Sequence, residues 1–352
     1  MTNPNEITIP HDHDSSPSID VSSSDVHSEA SSELRHGIVC RSQGNMYDVA
    51  WLECAEEQHW MCSLRGKLKR AYQATTSLIA VGDEVRFRVL NEAQGVIESI
   101  DPRRSKLSRD NTVKRITEQI LAANIDYGVI VMACHAPDYN PRRLDMQLSA
   151  VLAGNLSPII VLSKADMPQA EAAKNDLARY QLLGYPIIAT STETGEGLSE
   201  LAQLLSGKRS VLFGSSGVGK SSLINALDPD LQLRTQELRQ RFLKGMHTTT
   251  TAELLRLHNG AWVIDTPGVR TFSLWDRSNQ VVEAQYGEFD DYADACRFSD
   301  CTHIHEPGCA VREAVHSGAI DAERYDSYLR LVKRQQARRA FEHSRGPERS
   351  RR

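Results

Sequence analysis

Apolar and polar residues alternate in short runs between residues 34 and 105, a pattern that predicts small β-strands. The predicted strands cover residues 36–40, 46–52, 60–64, 83–89 and 95–100. Short strands separated by turn signals are typical of a small barrel, and five of them fit an OB-fold. A basic run over residues 65–70 lies on one connection. It is either a solvated face or an RNA contact, since loops of such barrels commonly hold nucleic acid.

The pattern changes after residue 105 to apolar, β-branched runs that alternate with amphipathic stretches. Strands are predicted at 127–133, 159–163, 186–190, 210–213, 253–257 and 261–264, and helices at 142–153, 170–183 and 220–227. This alternation predicts an α/β domain over residues 106–278, with a parallel sheet covered by helices.

The two ends of the chain differ strongly in charge. Residues 1–33 carry seven acidic and no basic residues, and we expect a disordered acidic tail. Residues 279–343 contain cysteines and histidines, and end in a predicted helix over 321–343. A basic tail, 344–352, follows and could contact phosphates or serve only solubility. No apolar run approaches the roughly 18 residues of a membrane span, and no secretion signal is evident, so we expect a cytoplasmic protein.

A glycine-rich loop predicts a phosphate-binding site between a strand and a helix. Its residues are Gly214, Ser215, Ser216, Gly217, Val218, Gly219, Lys220 and Ser221, with Ser222 next in the helix. Glycines let backbone N–H groups approach a triphosphate closely, and the helix dipole favours its charge. We expect Lys220 to reach the β- and γ-phosphates and the Ser221 hydroxyl to bind Mg²⁺.

Two further segments follow in the order of GTPase switches. The first contains Thr248, Thr249 and Thr250, any of which could follow the γ-phosphate and Mg²⁺. In the second, Asp265 would support Mg²⁺ and the Gly268 N–H would sense the γ-phosphate.

A base-reading segment precedes the phosphate loop along the chain. Its residues are Ser163, Lys164, Ala165 and Asp166. The Asp166 carboxylate can accept two hydrogen bonds from guanine, which adenine cannot offer, and Ser191 opens the loop that would contact guanine O6. Most GTPases have Asn at the position of Ser163, so we expect weaker cross-bracing and nucleotide affinity. In an ordinary GTPase the phosphate loop comes first and the base-reading segment follows. Because the order is reversed here, the sequence predicts a circularly permuted GTPase.

The seven cysteines include a cluster suited to metal. Cys296, Cys301 and Cys309 supply three thiolates within 14 residues, and either His303 or His305 supplies an imidazole. Three thiolates and one imidazole form the ligand set of a closed, structural zinc site.

Several segments resemble the ribosome small subunit-dependent GTPase A family, over about residues 34–335. They are Gly245-Met246-His247-Thr248-Thr249-Thr250, the run 263–270, Arg65-Gly66-Lys67-Leu68 and the run 81–85. The resemblance implies a GTPase that binds the small ribosomal subunit and its rRNA late in assembly, with one zinc held by His303 rather than His305. It implies an RNA-binding barrel over 34–105 and a mostly helical zinc domain over 279–343, and we expect a monomer.

Many GTPases position the attacking water with a glutamine directly after the glycine of the second switch. In this chain Val269 occupies that position and cannot form the hydrogen bond, so another group must orient the water. His247 resembles the histidine that the family uses, and a neutral imidazole could orient water near pH 7. Alternatively, His247 only stabilises its loop. The hydrolysis of GTP to GDP and phosphate is therefore the main hypothesis. The alternatives are a permuted GTPase acting on another RNA and a non-catalytic, RNA-binding nucleotide sensor.

Overall fold

The computed structural model describes residues 33–54, 58–66, 68, 79–111, 117–231, 252–265, 282 and 285–344. Apart from Glu33, the acidic segment predicted for residues 1–33 lies outside this part of the chain. Apart from Ser344, the same is true of the basic tail.

All five predicted barrel strands are present. They are β1 (Leu34–Gln43), β2 (Met46–Trp51), β3 (His59–Leu64), β4 (Glu84–Val89) and β5 (Gln94–Ile100). Their order is β1-β2-β3-β5-β4, and pairing of β1 with β4 closes the barrel. The interior is filled by alternate residues of the strands, including Val39, Val49, Trp60 and Phe87. The prediction of an OB-like barrel is confirmed.

A hairpin that the sequence pattern did not predict follows the barrel. It consists of β6 (Lys106–Asn111) and β7 (Thr117–Ala123). The Ala123 N–H donates to Val81 O in the barrel at 2.9 Å, and the Lys106 N–H donates to Gly154 O in the next domain at 3.1 Å. The hairpin therefore links the barrel to the α/β domain.

Among the described residues, six strands form the central sheet of the α/β domain. They are β8 (Tyr127–Ala133), β9 (Ser157–Ser163), β10 (Ile187–Thr190), β11 (Arg209–Phe213), β12 (Glu253–Arg256) and β13 (Trp262–Asp265). The order is β10-β9-β8-β11-β13-β12, and every neighbouring pair is parallel except β12 with β13. The predicted parallel sheet is confirmed, with an antiparallel strand at one edge.

Helices cover both faces of this sheet. They are α1 (Pro141–Ala153), α2 (Ala170–Leu182), α3 (Leu198–Leu205) and α4 (Lys220–Leu227). Successive residues of a strand point to opposite faces, so Ile130 packs with Leu144 on one side while Val129 packs with Leu223 on the other. The carboxyl ends of β8, β9, β11 and β13 consequently meet at one edge, where ligands of open α/β sheets bind.

The barrel and the α/β domain share one hydrogen-bonded sheet. Strand β12 pairs with β1 at Glu253 and Arg41, and these side chains form an ion pair. A second contact joins Glu84 of β4 to Arg209 of β11, whose Nη1 donates to Glu84 Oε1 at 2.5 Å. Burial by itself would raise the pKa of Glu84, but the hydrogen bond and charge of Arg209 lower it overall.

The C-terminal region is mostly helical, as predicted. Its elements are a 3₁₀ turn (Gly287–Phe289) and the helices α5 (Asp290–Ala293), α6 (Ala310–Ser317) and α7 (Ala322–Ser344). Tyr286, Phe289 and Tyr328 pack at the centre of its core. In the described part of the chain, no helix combines the length and apolar character needed to cross a membrane.

Candidate functional site

The phosphate loop follows β11 directly and has a backbone that requires glycine. Gly214, Gly217 and Gly219 have φ values of 147°, 84° and 95°, in the region that L side chains rarely adopt. A Cβ on Gly214 would also lie 2.4 Å from Val131 O. The loop then enters α4 at Lys220, so the helix N-terminus faces the space that the loop encloses.

Lys220 already lies across this loop. Its Nζ donates to Gly214 O at 2.9 Å and to Ser215 O at 3.0 Å. Ser221 and Ser222 are exposed in the first turn of α4, whereas Val218 is buried beneath the loop. The roles assigned to the lysine and the serine toward phosphate and Mg²⁺ stay predictions.

Ser163 connects the base-reading segment to the phosphate loop. Its Oγ donates to Val218 O at 2.6 Å, and Met132 O lies 3.2 Å away. A hydroxyl carries a single proton, so the shorter contact to Val218 is the stronger link. The sequence predicted that replacing Asn with Ser would weaken the cross-bracing, yet the serine keeps a direct bond to the loop.

Asp166 and Ser191 meet at the carboxyl ends of β9 and β10, as predicted. Ser191 Oγ donates to Asp166 Oδ1 at 2.6 Å, and it accepts from the N–H groups of Glu193 and Thr194 at 3.2 Å each. The hydroxyl thus fixes the orientation of the carboxylate. Between them, the Ala165 N–H donates to Thr190 O at 3.0 Å.

Lys164 braces a loop that sequence reasoning did not assign to the site. Its Nζ donates to His135 O at 3.1 Å and also to Ala136 O. This loop follows β8 and packs near the phosphate loop, because a Cβ on Gly217 would lie 3.7 Å from Pro137 Cδ. The sequence left open whether Lys164 lies over the base or braces the phosphate loop, and both roles stay predictions; in the structure its ammonium bonds the loop that follows β8.

Arg143 is a second site residue that sequence reasoning missed. Its Nη1 donates to Ser215 Oγ at 2.5 Å. The side chain of Asn140 caps α1 by accepting from the Arg143 N–H at 3.1 Å, and Pro141 begins the helix. The Asn-Pro pair is a helix-start signal in the sequence, but it does not reveal that the first turn faces the phosphate loop.

The two switch segments are only partly described. Asp265 ends β13 and pairs with Leu212 of β11, so its backbone lies one strand from the phosphate loop. His247, Gly268 and the threonines lie outside the described residues, as does Val269. The roles assigned to these residues, including Thr248, Thr249 and Thr250, therefore stay predictions.

The cysteine cluster has the dimensions of a tetrahedral metal site. Cys296 Sγ lies 4.0 Å from Cys309 Sγ and 3.6 Å from His303 Nδ1, which lies 3.4 Å from Cys309 Sγ. All four ligand atoms, with that of Cys301, lie within 4.8 Å of one another. Zinc bonds of about 2.0–2.3 Å at tetrahedral angles require ligand separations of about 3.4–3.8 Å. His303 is buried in the cluster, whereas His305 is exposed, so the donor set fits zinc.

Helix α7 and Glu306 hold the loop of the cysteine cluster in shape. The Tyr325 and Tyr328 hydroxyls donate to His303 O at 2.6 Å and Thr302 O at 2.7 Å. Burial by itself would raise the pKa of Glu306, but hydrogen bonds from Thr302 and neighbouring backbone N–H groups lower that pKa to about 2.

The family of the chain is shown by comparison with known proteins. Residues 36–97 match the RsgA N-terminal domain family, and residues 100–275 match the RsgA GTPase family. A relative from Gemmatimonas aurantiaca, named small ribosomal subunit biogenesis GTPase RsgA, is 41% identical over 299 residues, which cover 84% of this chain and 95% of the relative. The identically named relative from Chlorobaculum parvum is 42% identical over 265 residues, 73% of this chain and 85% of the relative.

Two solved structures agree with the sequence comparison. YjeQ from Thermotoga maritima superposes with a TM-score of 0.69 and 32% identity, covering 86% of this chain and 99% of that one. YloQ, described as a circularly permuted GTPase, superposes with a TM-score of 0.68 and 25% identity, covering 89% and 98%. With the base reader before the phosphate loop and both domain families matched in order, the chain belongs to the RsgA family of circularly permuted GTPases.

Proposed function

We propose that this chain binds the small ribosomal subunit and acts late in its assembly, hydrolysing GTP to GDP and phosphate at a rate that the subunit stimulates. The observation that carries the nucleotide part is the bond from Ser163 Oγ to Val218 O, which holds the base reader against the phosphate loop. The ribosomal part is supported by the relatives named for small ribosomal subunit biogenesis.

Guanine recognition is assigned to the carboxylate of Asp166. Ser191 orients Oδ1 of this carboxylate and leaves Oδ2 for the base, while the oriented Oδ1 retains a further lone pair. Guanine presents two adjacent donors, N1–H and N2–H, and a carboxylate accepts both. We infer that Asp166 selects guanine and that Lys164, Ala165 and Ser191 shape its pocket.

Phosphate binding and hydrolysis are assigned to the loop, Lys220 and the switch residues. The loop N–H groups and the Lys220 ammonium stabilise the phosphate charge that develops as water attacks the γ-phosphorus. The bond to the β–γ bridging oxygen breaks, and the water proton is released with phosphate. Mg²⁺, held by Ser221 with Asp265 and a switch threonine, would neutralise phosphate charge. We infer that His247 orients the attacking water.

The flanking domains are assigned to RNA binding. The barrel over 34–105 and the zinc domain over 279–343 flank the GTPase domain, and each contacts it directly through Glu84–Arg209 and Asp145–Arg324. A nucleotide-dependent change in the GTPase domain can therefore alter how the barrel and the zinc domain bind rRNA. We propose that a monomer binds the subunit with GTP and leaves it after hydrolysis.

Hydrolysis of GTP with and without purified small subunits tests this proposal. We expect stimulation by the subunits in the wild type, with loss of turnover in Lys220→Ala and His247→Ala. Lys174→Ala, which removes an exposed lysine paired with Glu196, is the matched control and should behave as wild type. If small subunits do not stimulate GTP turnover but other RNAs do, the ribosomal assignment is overturned. Retained turnover in His247→Ala would move water positioning to another group.

A further inference from the structure

We propose that Arg143 is a further catalytic residue of this GTPase, one that contacts the terminal phosphate of bound GTP. The inference rests on the proposed GTP hydrolysis and adds a second cation to the phosphate site, supplied by the chain itself.

Two cations converge on one residue of the phosphate loop. Lys220 Nζ donates to the backbone oxygen of Ser215 at 3.0 Å, and Arg143 Nη1 donates to the side-chain oxygen of the same residue. Phosphate oxygens carry full negative charge and are stronger acceptors than a carbonyl or a hydroxyl. When GTP fills the loop, both cations can exchange these oxygens for phosphate oxygens without leaving the loop.

The charge of Arg143 has no carboxylate partner within the described residues. By contrast, its neighbour Arg142 is exposed and lies 3.7 Å from Asp326. Arg143 is half-buried, and its guanidinium donates to the side chain of Ser215 in the phosphate loop. Lys164, the other cation at this edge, is occupied by the carbonyls of His135 and Ala136. Arg143 is therefore the group available to complement Lys220.

Helix α1 holds Arg143 in a fixed position from both sides. Before it, Asn140 caps the helix and bonds the backbone of Arg143 itself. After it, Leu144 is fully buried in the core, and Asp145 bonds both Tyr180 and Arg324. Little conformational freedom of the backbone is left to be lost on binding, which is the condition for effective electrostatic stabilisation of a transition state.

An arginine placed at the transferring phosphoryl group accelerates hydrolysis by about 10³–10⁵-fold when a GTPase uses one. Arg143→Ala should lower the subunit-free rate of single-turnover GTP hydrolysis by at least about 100-fold. Arg143→Lys, which keeps the charge but not the planar fork, should recover only part of this rate. Arg142→Ala is the matched control and should hydrolyse GTP as wild type does.

A binding measurement separates contact with the terminal phosphate from simple bracing of the loop. Arg143→Ala should lower the affinity for a non-hydrolysable GTP analogue by about 10-fold or more. It should lower the affinity for GDP by less than about 3-fold, since GDP lacks the γ-phosphate. Ser215→Ala removes only the hydroxyl acceptor, so its effect on this ratio should be much smaller. Circular dichroism confirms that each variant is folded.

Two results would overturn the inference. One is an Arg143→Ala variant that loses GDP and GTP-analogue affinity equally, and the other is a variant indistinguishable from Ser215→Ala in both assays. Failure of the proposed ribosomal function would be recognised separately, because small subunits would then not stimulate GTP hydrolysis by the wild-type protein. The affinity ratio is measured without turnover or subunits, so it tests Arg143 in either case.

Discussion

The ion pair between Asp145 and Arg324 allows a prediction about how the GTPase domain and the C-terminal helical region are held together. Asp145 lies in α1, and Arg324 lies in the first turn of α7. Their side chains are 2% and 3% exposed, with Nη1 and Oδ1 separated by 2.7 Å. The same guanidinium bonds Glu288 at 2.8 Å and lies 4.5 Å from the ring centre of Tyr286. One arginine therefore bonds two carboxylates inside the interface.

Replacing Arg324 with Met would retain most of the side-chain volume but leave Asp145 and Glu288 without their cation. Removing one partner of a buried pair costs about 3–5 kcal/mol, because the remaining charge is neither solvated nor paired. With a urea dependence of about 3 kcal/mol per molar, the midpoint of unfolding should fall by about 1–2 M.

Equilibrium unfolding in urea, followed by far-UV circular dichroism, measures this effect. Arg330→Met is the matched control: Arg330 lies in the same helix, is 58% exposed and pairs with Asp326 on the surface, so its loss should cost less than about 0.5 kcal/mol. Adding Asp145→Asn to Arg324→Met should recover part of the loss, since one buried charge is removed. If Arg324→Met and Arg330→Met unfold at the same urea concentration, the buried pair does not stabilise the interface and the reasoning is refuted.

Three further predictions concern the other contacts of the site. Ser163→Ala removes the bond to Val218 and should lower the affinity for GDP by about 3–10-fold, measured by titration with a fluorescent analogue. An unchanged affinity would contradict the bracing role of Ser163. Glu84→Gln should lower stability by about 1 kcal/mol at pH 7. The Glu84 carboxylate has a pKa lowered from 4.5 by Arg209, so its contribution is present above that pH and is lost as the pH falls; urea unfolding should show the difference disappearing on acidification. Cys301→Ser removes one of three thiolates and should reduce bound zinc, measured by metal analysis, well below one per chain, whereas full occupancy would exclude Cys301 as a ligand.

Much of the fold follows from local patterns in the sequence. Strand β8 and helix α4 begin and end at the predicted residues, because β8 is a continuous apolar run and α4 follows a glycine-rich turn. Strand β6 was missed because its sequence, Lys-Leu-Ser-Arg-Asp-Asn, is mostly polar and a bulge after Leu107 interrupts its register with β7. Helix α3 was missed because it starts after Gly197 without a side-chain cap.

The site was predictable only as far as its motifs are continuous in the chain. The spacing of the loop glycines predicts a phosphate-binding loop, and the spacing of the cysteines predicts a set of metal ligands. The structure also brings Asp166 and Ser191 together at one edge of the sheet. The contact of Arg143 with Ser215 joins positions 72 residues apart, and no local pattern signals it. The choice of His303 over His305 came from the resemblance to the family, and in the structure His303 is buried in the cluster while His305 is exposed.

The pairing of β12 with the barrel also constrains how this protein can be divided into fragments. Strand β12 is the last strand of the GTPase sheet, and β1 contacts its outer side at Arg41 and Glu253. A fragment that began after residue 105 would present β12 as an open edge, and unpaired edges template the aggregation of other chains. It would also lose the Arg41 charge that neutralises Glu253 on that edge. The barrel therefore acts as a built-in protective cap, and insolubility of an isolated GTPase fragment would reflect the missing cap rather than an unstable core.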